Sequence, residues 1–210
     1  MTLKQLEQAL EILGSDENTV FDEDGVRKTE EHLALIREWN QTVSLVSQGD
    51  LAFLTERHLV DSLSLAPYIG LGKKGTALLD IGSGAGFPAI PLKCFYPDLP
   101  VLCVERSVRK AGFLHRVIAT LGLEGIEVLA GEFPEHPSKI EARAITARAV
   151  ERPRQVYNRI LQRLPVKSTF LCQLEGVPGT AAGKYQTEVI TDVWHQAGLR
   201  RGNLQLITRV

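Results

Sequence analysis

Gly82, Gly84 and Gly86 stand close together in "LLDIGSGAGFPAIP", residues 78–91, directly behind an apolar run. At the bend from a strand into a helix, such residues leave backbone N–H groups uncovered and let a ligand approach the main chain closely. The chemistry this suits is the binding of a nucleoside or a phosphate, with Ser83 in the same loop. The dinucleotide pattern G-x-G-x-x-G requires glycine at 87, where this chain has Phe87. Pro88 lacks an N–H, which leaves one donor fewer for a pyrophosphate. Glu105 ends the next apolar run, "VLCVE", 19 residues after Gly86. A carboxylate at that place could accept hydrogen bonds from ribose hydroxyls. The competing readings are close packing against a neighbouring helix for the glycines and an ordinary surface carboxylate for Glu105.

The charge pattern adds a second kind of chemistry. Across 210 residues the net charge is only −1, yet Arg106, Arg109, Lys110 and Arg116 fall in one stretch without an acid among them. Arg148, Arg152, Arg154, Arg159 and Arg163 make a second basic stretch. Basic segments that follow sheet strands could form a patch for a polyanion, although solvated helix faces carry the same residues. Cys94, Cys103 and Cys172 are far apart and odd in number, so reduced, buried thiols are expected, with neither a disulfide framework nor a metal site. No apolar run reaches the roughly 20 residues of a membrane span, and "MTLKQLEQALEIL" is unlike a signal peptide, so the expected location is the cytoplasm.

The elements that must position these residues follow from periodicity. Leu3, Leu6, Leu10 and Leu13 mark an amphipathic helix, and further helices are expected from about 26 to 39 and from about 51 to 68. From Thr76 short apolar runs alternate with helical segments, which is the rhythm of a mostly parallel α/β sheet with helices on both faces. "TALLDI", "VLCVE", "IEVLA", "AITA" and "TFLCQL" are its strands. "TEVITDVW" and "LQLITRV" then read as a C-terminal antiparallel hairpin. The expected organisation is an N-terminal helical extension, 1–72, packed on a core domain, 73–210, with 44% hydrophobic residues overall to fill it.

The glycine loop with its aspartate, the acidic end of the second strand and the closing hairpin resemble class I S-adenosylmethionine-dependent methyltransferases, which have a Rossmann-like sheet. "WNQTVSLVS", "RHLVDSLSLAPYI", "DIGSGAGFPAIPL", "RKAGFLHRV" and "ITARAV" appear in the order and spacing of the GidB/RsmG family, the 16S ribosomal RNA guanine-N7 methyltransferases. That resemblance covers nearly the whole chain. It implies S-adenosylmethionine as cofactor, held by Gly82, Ser83, Gly84, Gly86 and Phe87, with Glu105 on the ribose diol and Phe133 and Pro134 by the adenine. It implies Arg148 as the catalytic residue, facing both cofactor and base; the competing reading of Arg148 is a pair with a local carboxylate. For the RNA side it nominates Arg57, His58, Arg109, Lys110 and Arg152; His58 reads equally as a helix histidine bonded to Asp61. Trp39 and Phe113 read as core aromatics.

The implied reaction is direct in-line transfer to guanine N7, which bears a lone pair and no proton, so positioning does most of the work. The implied partner is 16S rRNA in the 30S subunit, with a monomeric protein, no DNA and no membrane. The chain departs from the family's usual pattern at Ser44, Val46, Ala89, "GEFPE" after the third strand and Glu175 in place of a lysine. These departures leave a second reading beside the first: a divergent, non-catalytic S-adenosylmethionine- or ribosome-binding protein of the same fold, or an enzyme with a shifted RNA target.

Overall fold

The computed structural model describes residues 2–14, 23–70, 77–133, 142–148, 152–173 and 183–210. Pro134, Glu135 and Glu175 lie outside these residues. Among the described residues a seven-stranded sheet has the order β3-β2-β1-β4-β5-β7-β6. Its strands are β1 (Leu78–Ile81), β2 (Val101–Glu105), β3 (Ile126–Ala130), β4 (Ala144–Thr146), β5 (Thr169–Cys172), β6 (Tyr185–Ile190) and β7 (Leu204–Arg209). The first five run parallel, and β7 enters antiparallel between β5 and β6. The strand order reverses between β1 and β4, which opens a crevice at their C-terminal ends.

Both faces of the sheet are covered, and strand alternation divides the core accordingly. Leu78, Val101, Cys103, Ala144 and Leu171 face one side, where they join Ile36, Leu54, Leu63, Ile90, Phe95 and Phe113 in a single cluster. That side carries α1 (Thr2–Gly14), α2 (Glu23–Trp39), α4 (Ala89–Phe95) and α5 (Val108–Leu121). Leu79, Ile81, Leu102, Val104, Ile145 and Phe170 face the other side, against Tyr157, Ile160 and Leu161 of α6 (Pro153–Arg163). Burial of each such Leu, Ile or Phe stabilises the fold by roughly 1.5–3 kcal/mol.

α5 shows how the sequence sets an element. Ser107 caps its start by accepting from Lys110 N, and Gly122 ends it in the left-handed region at φ 60. Ala111, Phe113, Leu114, Val117 and Leu121 are buried, while Arg109 and Arg116 point to solvent. Phe113 is wholly buried and packs on Trp39 at a centroid distance of 5.7 Å, as expected of core aromatics.

Two expectations are corrected. The helix expected over 51–68 is broken into a 3-10 turn at Leu51–Phe53, a π turn at Thr55–Leu59, α3 (Val60–Leu63) and a second 3-10 turn at Ala66–Tyr68. Ser62 and Ser64 donate their hydroxyls to the carbonyls of His58 and Asp61, and Pro67 has no N–H to give, so a continuous ladder is not maintained. The terminal strands are joined not by a short turn but through α7 (Val193–Gln196), which takes Trp194 out of the strand and buries it to 1% exposure. Asp192 caps α7 by accepting from His195 N at 3.0 Å, and its carboxylate also holds the buried Arg200 at 2.7 and 2.8 Å. Cys94, Cys103 and Cys172 are buried and form no disulfide, one in a helix and two in strands.

Candidate functional site

A cavity of about 830 Å³ opens at the reversal of strand order. Its volume lies in the range of small-ligand sites. Gly82, Ser83, Gly84 and Phe87 form one wall and Glu105 another. The loop is shaped locally: Gly82 and Gly84 sit at φ 73 and 55, and Gly82 N donates to Val104 O at 2.7 Å, which ties the bend to β2. Glu105 is 6% exposed and accepts from Gly84 N at 2.9 Å and from Ser107 N at 2.8 Å. The same carboxylate thus fixes the glycine loop and the entry to α5, and its remaining lone pairs are left for a ligand.

Gly86 requires a correction. It does not line the cavity; a Cβ placed there would come within 2.5 Å of Ile90 Cγ1 and 3.3 Å of His32 Nε2. The glycine makes room for a helix and a histidine, not for the ligand. His32, in α2, is wholly buried, and its Nε2 lies 2.8 Å from Ala85 O beneath the loop. Its ring is 5.1 Å from that of Phe87, whose other neighbour is His58, also at 5.1 Å and nearly parallel to it at 24°. Phe87 is therefore held between two imidazoles.

Arg148 follows β4 and lines the cavity. Its Nη2 is 2.6 Å from Asp61 Oδ2, and its Nη1 donates to Ser62 Oγ at 3.0 Å. The local carboxylate pair and the cavity position, which looked like alternatives, occur together. His58 also lines the cavity but is not bonded to Asp61: its nearest carboxylate oxygen is Asp50 Oδ2, at 3.9 Å. Burial, reinforced by the positive charge of Arg148, lowers its pKa to about 4, so the ring is neutral at ordinary pH.

The remaining nominated residues separate. Lys110, Phe133 and Arg152 line the cavity, Arg152 in the left-handed region at φ 53 just before α6. Arg57 is bound to Asp50 at 2.8 Å and lies 4.2 Å above the ring centre of Phe53. Arg109 is exposed on α5 outside the cavity, and Pro134 falls outside the described residues. No group of three His, Cys, Asp or Glu is arranged to hold a metal ion among the described residues.

Several lining residues were not nominated for the site, although "WNQTVSLVS" contains most of them. Ser44, Leu45, Val46 and Ser47 form part of the wall, and their loop is pinned by the buried Asn40, whose Oδ1 accepts from Leu45 N at 2.8 Å and Val46 N at 2.9 Å. Asn40 directly follows α2, where only a helix end could be read. Arg201 reaches the cavity from the turn after α7.

Asp80 lies under the loop, wholly buried, with Oδ1 accepting from Thr146 Oγ1 at 2.7 Å. Burial raises its pKa to about 7, while burial lowers that of His32 to about 4. The signs oppose. The His32 shift, from 6.5 down to about 4, makes the fold lose stability as pH falls through that interval. The Asp80 shift, from 3.8 up to about 7, makes it lose stability as pH rises through an overlapping interval. Asp80→Asn removes the second effect alone, so urea unfolding should show stability rising with pH more steeply than in the unsubstituted protein, by about 4 kcal/mol in all. An equal or shallower slope would contradict the assignment.

The family described as rRNA small subunit methyltransferase G, GidB, matches residues 26–177. The chain belongs to this family. Among curated GidB relatives, a ribosomal RNA small subunit methyltransferase G of Roseiflexus castenholzii is 37% identical over 136 residues, 62% of this chain and 56% of that protein. One of Lachnoclostridium phytofermentans is 36% identical over 149 residues, 69% of this chain and 60% of that protein. The matched part thus spans somewhat more than half the length of these relatives. Solved structures share the fold. A mutant of MtNAS in complex with S-adenosylmethionine superposes at a TM-score of 0.58 with 16% identity, covering 87% of this chain and 74% of its own. TYW2 of P. horikoshii in complex with MeSAdo gives 0.51 with 13% identity, covering 71% and 60%. At these identities the likeness speaks for the Rossmann-like architecture alone, which agrees with the fold expected for GidB proteins.

Proposed function

We propose that this protein is an S-adenosylmethionine-dependent methyltransferase that acts on N7 of a guanine in 16S rRNA. The observation that carries the reading is the meeting, in one cavity, of a glycine loop, a buried carboxylate and an arginine with donors that no described residue engages. Membership of the GidB family supports the same reading.

The residues present fit the cofactor. Gly82 and Gly84 carry no side chains that would stand between ligand and main chain, and Glu105 retains acceptor capacity beyond its two backbone bonds. Gly82, Gly84 and Phe87 would hold the methionine and ribose portions, Glu105 the ribose diol, and Phe133 the adenine. When bound, S-adenosylmethionine supplies an electrophilic methyl group on a sulfonium.

The chain's own task is to place the base. Arg148 has five N–H groups; Asp61 and Ser62 engage one each, and the others can meet acceptors such as guanine O6. Guanine N7 carries no proton, so no general base is required, and the neutral His58 would serve as a wall rather than an acid. Lys110, Arg152 and His58 at the cavity, with Arg57 and Arg109 around it, would meet the polyanion.

No described helix is long and apolar enough to cross a membrane. A cytoplasmic monomer working on the 30S subunit, without DNA, is the setting that goes with this reading. Labelled-methyl transfer to 30S subunits and to naked 16S rRNA, with the product mapped, tests it. The expected product is 7-methylguanosine at one position. Cofactor binding without transfer to either RNA would instead favour a binding protein of the same fold, and transfer to another atom would redirect the target.

A further inference from the structure

The polar cluster behind the cavity points to a residue that acts on the reaction without touching the ligands. We propose that Asp61 is the positioning residue of Arg148, holding its guanidinium so that the remaining donors face the cavity; this rests on the role given to Arg148 above.

Asp61 lies in α3, 2% exposed, and does not line the cavity. Its carboxylate gathers three segments that leave the C-terminal side of the sheet. Arg148 Nη2, after β4, stands 2.6 Å from Oδ2. Gln173 Nε2, after β5, donates at 3.2 and 3.3 Å, and Arg201 N, after α7, donates to Oδ1 at 2.8 Å. Arg201 is itself a cavity residue, so one carboxylate holds the side chain of one cation of the wall and the backbone of another. Ser62 Oγ accepts from Arg148 Nη1 at 3.0 Å and donates to His58 O at 2.5 Å, so the second partner is also fixed in direction.

A guanidinium on a flexible stem loses rotamer entropy when it must adopt one pose, and this pair fixes the pose before any substrate arrives. Asp61 is buried and Arg148 largely so, with side-chain exposures of 3% and 16%. Removing one partner leaves the other charge desolvated, and a freed Arg148 would turn toward other carboxylates of the cavity such as Asp50 and Glu105.

Asp61→Asn keeps the shape and one acceptor for Arg201 N but sets an amide N–H against the guanidinium or against Gln173. The expected result is a fall in kcat of roughly tenfold to a hundredfold, with KM for 30S subunits and calorimetric affinity for S-adenosylhomocysteine changed far less. In an Arg148→Ala background the same substitution should cost little more. A structural role would lower the rate by the same factor in both backgrounds, and that additivity would overturn the proposal. So would wild-type kcat in Asp61→Asn when Arg148→Ala is impaired, which would leave the functional reading standing. Full activity of Arg148→Ala would remove both roles, whereas absence of transfer by the unsubstituted protein would remove the functional reading and this one with it. The ¹⁵N resonances of the Arg148 side chain give a readout without activity: slowed Nη rotation is expected in the unsubstituted protein and its loss in Asp61→Asn. Should Asp61→Asn fail to fold, Ser62→Ala, which removes the second partner of Arg148, is expected to show the same kcat split on a smaller scale, and an unchanged kcat would overturn the proposal.

Discussion

Glu105→Ala is expected to weaken S-adenosylmethionine binding by at least about a hundredfold, since each hydrogen bond to a charged group contributes roughly 1.5–3 kcal/mol and the ribose would lose two. The loss has a second source. Gly84 N and Ser107 N both donate to this carboxylate, at 2.9 and 2.8 Å, so its removal also frees the bend of the glycine loop and the first turn of α5. Glu105→Gln keeps a carbonyl acceptor for one of the two N–H groups and should fall between. Calorimetric titration of the three proteins decides the matter, and an affinity for Glu105→Ala within about threefold of the original would be incompatible with the ribose role.

Gly86→Ala should lower stability far more than Gly122→Ala. Both residues have positive φ, 90 and 60, so each substitution carries the cost of about 1–2 kcal/mol for placing a Cβ in the left-handed region. At Gly122 nothing lies within 4 Å of the new carbon, and the cost ends there. At Gly86 the carbon would meet Ile90 Cγ1 at 2.5 Å and have His32 Nε2 and Leu114 Cδ2 at 3.3 Å, all in packed surroundings. Overpacking of this kind adds about 1–3 kcal/mol. Urea denaturation of the two variants measures the difference, and equal losses would mean that the α2–α4 contact gives way more readily than the geometry indicates.

The parallel sheet could be read from the sequence because its strands are short apolar runs set between helical periods, and those signals are local. Leu79, Ile81, Leu102 and Val104 face one side and Leu78, Val101 and Cys103 the other, which matches the continuous burial of β1 and β2. The break of residues 51–68 was not legible, since serine-to-carbonyl bonds compete with helix formation only once the segment is fixed against the sheet. Gly86 misled for a related reason. A third glycine after a strand can serve the ligand or the helix behind it, and only the position of His32 tells which.

The candidate site was half visible. Gly82, Gly84 and Glu105 belong to one strand-loop-helix-strand unit, so their meeting could be anticipated from spacing. Asp61, Asn40 and Arg201 come to it from far apart in the chain; the first two fall in "RHLVDSL" and "WNQTVSLVS", but as a helix acid and a helix-end amide their types do not tell their roles, and the loop cation lies in no such motif. "RHLVDSL" did place Asp61 next to a residue of interest, but as a rival partner for His58 rather than as the anchor of Arg148.

Because Ile36, Leu54 and Leu63 lie in the same hydrophobic cluster as Ile90 and Phe113, and His32 reaches from α2 to the glycine loop, the leading helices are not an interchangeable module. A chimera that exchanged them would remove the underside of the cavity beside the glycine loop. New specificity would have to be engineered along the outer rim instead, leaving the inner face of α2 untouched.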